Sequence, residues 1–221
     1  MAQPAIGLRE RKKARTRALI AQTAMDLFAQ RGFDQVTVSE IAEAAEVGVS
    51  TVFNYFSTKE DLFYDRQQEV IEHLSRVVRA RRAGESFAAA CHRDMLELIA
   101  ARDWRAGLVP RMGDFYRLVD SSPALQARAR LMADQAAAHL TATIAEELRI
   151  AAQDIRAVAA AGILTTLRNA LLDQARRESL QGDAVETIAR RLRRATNQAY
   201  ELLESSNIAS LGIRDPNNRC Q

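Results

Sequence analysis

An all-α chain is predicted by three observations. Apolar residues recur at helical spacing along nearly all of the 221 residues, glycine and proline are sparse at nine and four, and no stretch alternates with a period of two for long enough to build a sheet. The elements follow in order. A first helix is expected from about Arg11, with Ile20, Ala24, Leu27 and Phe28 on one face. Gly32 supplies its left-handed stop, and Phe33 is placed for the hydrophobic contact that often follows. Thr37-Val-Ser-Glu40 has the form of a capping box, so a second helix should run from about Val38 to Ala45. A third begins near Val49 and stops by Ser57, where Ser57-Thr-Lys-Glu60 again has capping-box form. The fourth helix is predicted as one rod from Lys59 to about Arg82, broken off at Gly84. Further helices are expected at Glu85 to Ala101, around Trp104 to Leu118 with an interruption at Pro110, from Pro123 to Arg149, from Asp154 to Ser179 and from Asp183 to Ser205.

Composition removes several classes of function. The chain is 48% hydrophobic, enough for a real core, yet nothing resembles a run of eighteen apolar residues. The opening MAQPAIGLRERKK places its charge after a short, weak apolar stretch. Neither a membrane span nor a signal peptide is indicated, and the chain reads as cytoplasmic. Cys91 and Cys220 lie far apart, which argues against a disulfide framework or a cysteine metal cluster, and no metal or cofactor is expected. As an enzyme the sequence is poor. It has no glycine-rich phosphate loop, no His-Glu-x-x-His and no Gly-x-Ser-x-Gly, and His73, His92 and His139 are scattered. Cys91 and His92 are neighbours, but adjacent positions on a helix point in different directions.

The formal net charge is only +3, but from Arg9 to Arg17 six cations face one glutamate. Such a run suits a nucleic-acid partner, or else a solvated terminus. The stretch Ser50 to Lys59, STVFNYFSTK, adds to the first reading. On a helix Val52 and Phe56 face inward with Val47 and part of Phe53, leaving Ser50, Thr51, Asn54 and Tyr55 outside. A solvated face would usually carry Lys and Glu; small hydroxyls and an amide suit base edges in a major groove, with Val49 available to a thymine methyl. The alternative is a capped helix in a small three-helix core. Lys59 weighs against it, because a lysine in a first helical turn is disfavoured by the helix dipole unless an anion lies near. A phosphate would satisfy both. Thr37, Tyr55, Lys59 and the basic residues Arg11, Lys12 and Lys13 are therefore candidate phosphate donors, and Lys59→Ala should flatten the salt dependence of binding by about one unit.

These residues carry a resemblance. GFDQVTVSEIAEAAEVGVSTVFNYFSTKEDLF resembles the N-terminal helix-turn-helix of the TetR family of bacterial transcriptional regulators, without a gap from the first helix through Phe63. The basic helix ending in Gly-Phe, the Thr37 cap, Ile41-Ala42, the Tyr55-Phe56 pair and Lys59-Glu60 followed by Leu62-Phe63 all agree. One departure is the turn, where the family's common glycine is Glu46 and its common serine is Gly48, which could take over the flexible role. The resemblance implies that Val49, Ser50, Thr51 and Asn54 face bases of a double-stranded operator and that Thr37, Tyr55 and Lys59 hold phosphates. It also implies a plan: a flexible arm over residues 1–10, a helix-turn-helix unit over 11–58, a connecting helix over 59–82, a helical ligand-binding and dimerisation domain over 83–205 and a loose tail over 206–221.

Beyond Phe63 the residues say less. Val185, Ile188, Leu192, Ala195, Ala199 and Leu202 follow 3-4-3-4-3 spacing, a seam for a homodimer or for packing inside one subunit. The family's dimers, built through the last two helices, favour the first. Two-fold symmetry would then require a near-palindromic operator with half-sites roughly 34–36 Å apart. Trp104, Leu108, Met112, Phe115, Tyr116, Met132 and His139 are candidates for lining an apolar pocket for a small-molecule effector, or are plain core. The mechanism the resemblance implies is a repressor in which the effector tilts the connecting helix and spoils the spacing of two recognition helices. A DNA-organising protein without an inducer is the other reading.

Overall fold

The computed structural model describes residues 7–205, and among these the regular structure is helical throughout. The order is α1 (Leu8–Arg31), α2 (Val38–Ala44), α3 (Val49–Tyr55), α4 (Lys59–Phe63), α5 (Gln67–Arg79), α6 (Phe87–Ala100), a 3-10 turn (Trp104–Ala106), α7 (Met112–Ser121), α8 (Pro123–Leu148), α9 (Ile155–Leu180) and α10 (Val185–Glu204). The all-α expectation holds. Its departures are local. α1 already begins at Leu8, so Arg9 and Glu10 lie on helix rather than in an arm. Residues 1–6 and the expected tail with Cys220 lie outside the described residues.

The rod expected over residues 59–82 is two helices. α4 opens on Thr58, whose hydroxyl accepts from the Asp61 amide in a capping box one residue later than Ser57 and Glu60 suggest, and it stops after five residues. Tyr64 then leaves helical geometry at φ −99°, ψ 48°. The break is made by distant partners: Arg17 Nη2 donates to the Asp65 carbonyl at 2.7 Å and the Tyr64 hydroxyl donates to the Leu125 carbonyl at 3.1 Å. A carbonyl drawn to a guanidinium 48 residues away leaves no trace in local spacing.

Two compact units result. The first holds the residues up to Gln67 together with Arg117–Arg128, the corner between α7 and α8. Its core is an aromatic cluster, with Phe28 4.9 Å from Phe33 and Phe63 about 6 Å from both, closed by the buried Ile20, Ile41, Val52 and Phe56. The corner is tied in by polar bonds: Ser122 Oγ donates to Asp34 at 2.8 Å, and Arg128 Nη2 reaches Asp61 and Gln67 at 2.6 Å each. None of these pairings is readable from periodicity.

The turn between α2 and α3 resolves the departure at Glu46. The Val47 amide bonds to the Ala42 carbonyl and the Glu46 amide to Glu43, a Schellman ending that requires a left-handed residue, and Glu46 supplies it at φ 54°. Gly48 lies at φ −72°, so it does not take over that role; it is the N-cap of α3. A side chain in the left-handed region is strained by about 1 kcal/mol or more, partly offset in a glycine variant by the freer unfolded chain. Glu46→Gly should therefore raise unfolding free energy by about 0.5–1 kcal/mol, while Glu46→Ala gains nothing. Urea titration with an unchanged m-value checks this, and a lowered midpoint for the glycine variant would refute the strain.

The second unit holds Gln68–Tyr116 and the chain from Ala129 onward. Phe87, Met95, Leu98, Ile144, Leu164 and Leu171 form its core with Ile188, Leu192 and Tyr200 of α10. This corrects two residues of the interface expected on α10. Ile188 and Leu192 are buried inside the subunit against α6 and α9, and Val185, Ala195 and Ala199 are half-buried; of that seam Leu202 alone is freely exposed, at 74%. Periodicity located an apolar stripe correctly but could not say which neighbour covers it.

Candidate nucleic-acid interface

α3 is a seven-residue helix held from beneath by Val52 and by Phe56 at its end, both buried. Arg17 stacks over the Phe56 ring at 4.2 Å, which removes this arginine from the free basic run. The opposite face is open. Val49, Ser50 and Asn54 are exposed, Thr51 and Tyr55 are half-buried, and none of the five makes a side-chain hydrogen bond among the described residues. Phe53 is the addition. Expected to turn partly inward, it stands 52% exposed beside Val49, four residues away on the same stripe. The signal was present, since a 100° step per residue carries position 53 round from Val52 to the edge of the buried face.

On α1, Arg9, Arg11, Lys12, Lys13 and Arg15 are all exposed and close no ion pair among the described residues, so the positive charge is presented from a helix. The other two phosphate candidates are differently placed. The Thr37 hydroxyl accepts from the Glu40 amide at 3.3 Å and donates its only proton to Glu40 Oε2 at 2.7 Å, so it caps α2 and has no proton left for an anion. Hydrogen bonds from the Thr37 amide and hydroxyl and from Arg31 hold the Glu40 carboxyl down at about 2. A carboxyl with a lowered pKa contributes its share above the ordinary carboxylate range and loses it as pH falls toward 2, so the cap persists at any neutral or mildly acidic pH.

Lys59 turns inward. Its Nζ donates to the carbonyls of Phe33 (3.0 Å) and Val36 (3.1 Å) and lies 4.3 Å from the Phe33 ring centroid. The anion that the dipole argument required is replaced by two carbonyl dipoles of the α1–α2 turn, and one N–H of the ammonium remains. Lys59→Met should cost about 1–3 kcal/mol of unfolding free energy by stranding those carbonyls. A urea midpoint that does not move would return Lys59 to a purely phosphate-binding role.

The second unit contains a cavity of about 230 Å³ lined by His73, Arg76, Val77, Ala80, Arg93, Asp94 and Arg105. The seven expected pocket residues do not line it. Leu108 and Met132 are buried, and Trp104, Met112, Phe115, Tyr116 and His139 are half-buried, with His139 bonded to Ser75 at 2.9 Å. Among the described residues no group of three His, Cys, Asp or Glu is placed to hold a metal ion. Cys91 is buried, and burial pushes its thiol up to about 12, so it stays un-ionised.

Residues 20–64 match the family model of bacterial regulatory proteins, tetR family. The HTH-type transcriptional regulator TcmR of Streptomyces glaucescens is 38% identical over 80 residues, 36% of this chain and 35% of that protein. LuxR of Vibrio harveyi, another HTH-type transcriptional regulator, is 44% identical over 57 residues, 26% of each chain. The match thus spans about a third or less of these relatives' length. Over the whole fold, the chain resembles NalD, the secondary repressor of the MexAB-OprM multidrug efflux pump in Pseudomonas aeruginosa (TM-score 0.54, 19% identity, 84% of this chain and 97% of that one). It also resembles a TetR family transcription regulator from Marinobacter aquaeolei (TM-score 0.51, 22% identity, 88% and 97%). At such identities these two likenesses establish the fold.

Proposed function

Because the chain belongs to the TetR family of bacterial regulatory proteins, we propose that it is a sequence-specific, DNA-binding transcriptional regulator of the cytoplasm, a repressor released from a near-palindromic operator by a small-molecule effector. The observation that carries this reading is the outer face of α3, which is open, uncharged and without side-chain hydrogen bonds among the described residues, in a unit whose α1 also presents five exposed cations. Val49, Ser50, Thr51, Phe53 and Asn54 read base edges, and Tyr55 with Arg11, Lys12 and Lys13 grips the strands. Thr37 and Lys59 shape the surface instead, fixing the start of α2 and the loop before it.

The reading requires a homodimer, and α9 supports one. This helix is 26 residues long with a window of mean hydropathy 1.3 that is only 28% buried, enough in length and composition to cross a membrane. Its open stripe of Ile155, Val158, Ala159, Gly162 and Thr166 is small and apolar, and nothing lies within 4 Å of a Cβ built on Gly162. α10 runs back beside it, bringing exposed Leu202 to the same end. A second copy packing α9 and α10 against their own equivalents buries this stripe. An organising protein without an effector is the competing reading. Chromatin footprinting separates the two: a few palindromic sites support the regulator, and continuous coverage supports the organiser.

A further inference from the structure

We propose that the cavity between α5, α6 and the 3-10 turn binds a small organic monoanion through its carboxylate head, and that this molecule is the effector; the second clause rests on the regulator reading above. Three guanidiniums meet there, and their partners differ. Arg93 is gripped side-on by Glu85 (2.9 and 3.1 Å) and Arg105 by Asp103 (2.9 and 2.7 Å). These forks fix both planes and offset both charges. Arg76 has no such fork. Its Nη2 donates to the main-chain carbonyl of Glu69 at 3.0 Å, a neutral acceptor, and no carboxylate pairs with it among the described residues.

Asp94 does not neutralise Arg76 either. It is held by His73 Nε2 at 2.7 Å, and it is the leading stabilising charge for Arg168, a guanidinium of α9 that burial otherwise disfavours. The other nitrogen of buried His73 faces Arg105 at 3.4 Å, so the histidine offers a ligand no further donor. Arg76, which closes no salt bridge among the described residues, therefore stands at the exposed rim beside two oriented guanidiniums whose outer N–H groups are not all engaged, and the charges of Asp94 and Glu69 also reach Arg105. A single negative charge pairs with Arg76, while the nearby Asp94 and Glu69 carboxylates disfavour a phosphate dianion. Val77 and Ala80 on the same wall suit a short hydrocarbon body, and 230 Å³ is the room of roughly eight liquid waters, which limits the ligand to a small molecule.

The test is calorimetry on the full-length protein at fixed ionic strength, with acetate, isobutyrate and benzoate against benzamide and inorganic phosphate. Saturable binding of at least one carboxylate, none of benzamide, and at least tenfold weaker binding by Arg76→Gln is the expected result. Arg76 is exposed, so this variant keeps its fold, and Arg76→Lys should recover part of the affinity. Binding by none of the three carboxylates, equal binding of benzamide, preference for phosphate, or an unaffected Arg76→Gln would each overturn the site. Operator binding measured by anisotropy without ligand is scored separately. Its failure sinks the regulator reading and the effector role while leaving the anion site standing, and intact operator binding with no carboxylate response sinks the site alone.

Discussion

Val158→Glu is expected to give a folded monomer that no longer holds operator DNA at concentrations where the parent protein does. Val158 is 44% exposed on α9, beside Ile155 at 74% and the open Gly162, so the subunit itself tolerates a carboxylate there. A two-fold interface meets the change twice. Each copy must desolvate a charge without a partner, at about 2 kcal/mol or more, so dimer dissociation should strengthen by about a thousandfold. Operator affinity falls with it, because a monomer forfeits the effective concentration that linkage gives the second half-site, a factor of about 10²–10⁴. Sedimentation with circular dichroism reads both halves of the result. A Val158→Glu protein that remains dimeric would move the interface elsewhere, and Leu192→Ala separates the two surfaces: it should cost about 2–5 kcal/mol of stability as a core deletion while leaving the exposed stripe unaltered.

The second large effect concerns α3. Thr51→Ala and Asn54→Ala should each weaken operator binding by about 1–3 kcal/mol and relax preference at one base pair, because a bidentate or hydroxyl contact to a base edge is lost. Lys12→Ala should behave differently. It should weaken binding to every sequence and reduce the slope of log affinity against log salt by about one. Gel shifts at several salt concentrations, on a matched set of single-base operator variants, distinguish the behaviours. Equal losses for all three substitutions on all sequences would mean that the outer face of α3 reads no bases.

How much of this was legible in the sequence depends on the range of the interaction. The start of α2 was readable because Thr37 and Glu40 are three residues apart and satisfy each other. The stop of α1 at Gly32 was readable from glycine itself, which takes φ 83°, and Gly84 marks a turn at φ 76° although α5 already ends at Arg79; Glu46 takes a positive φ of 54° with no residue to announce it. Lys59 was singled out correctly as anomalous, but its partners are carbonyls 23 and 26 residues away, and a dipole argument confined to its own helix supplied a phosphate instead. The corner at Arg117–Arg128 joined the first unit through Ser122, Leu125 and Arg128, none of which stands out in a spacing analysis. The cavity was hidden for a related reason. The arginines that line it sit on polar helix faces that usually mean solvent.

One measurement bears most directly on the central claim, that the free face of α3 reads DNA. The protein is footprinted at base resolution on the DNA flanking its own gene, alongside a variant in which Ser50, Thr51 and Asn54 are all alanine. Two protected half-sites about one helical turn apart, present with the parent chain and absent with the folded triple variant, are the predicted result. Protection that survives the triple substitution unchanged would contradict it.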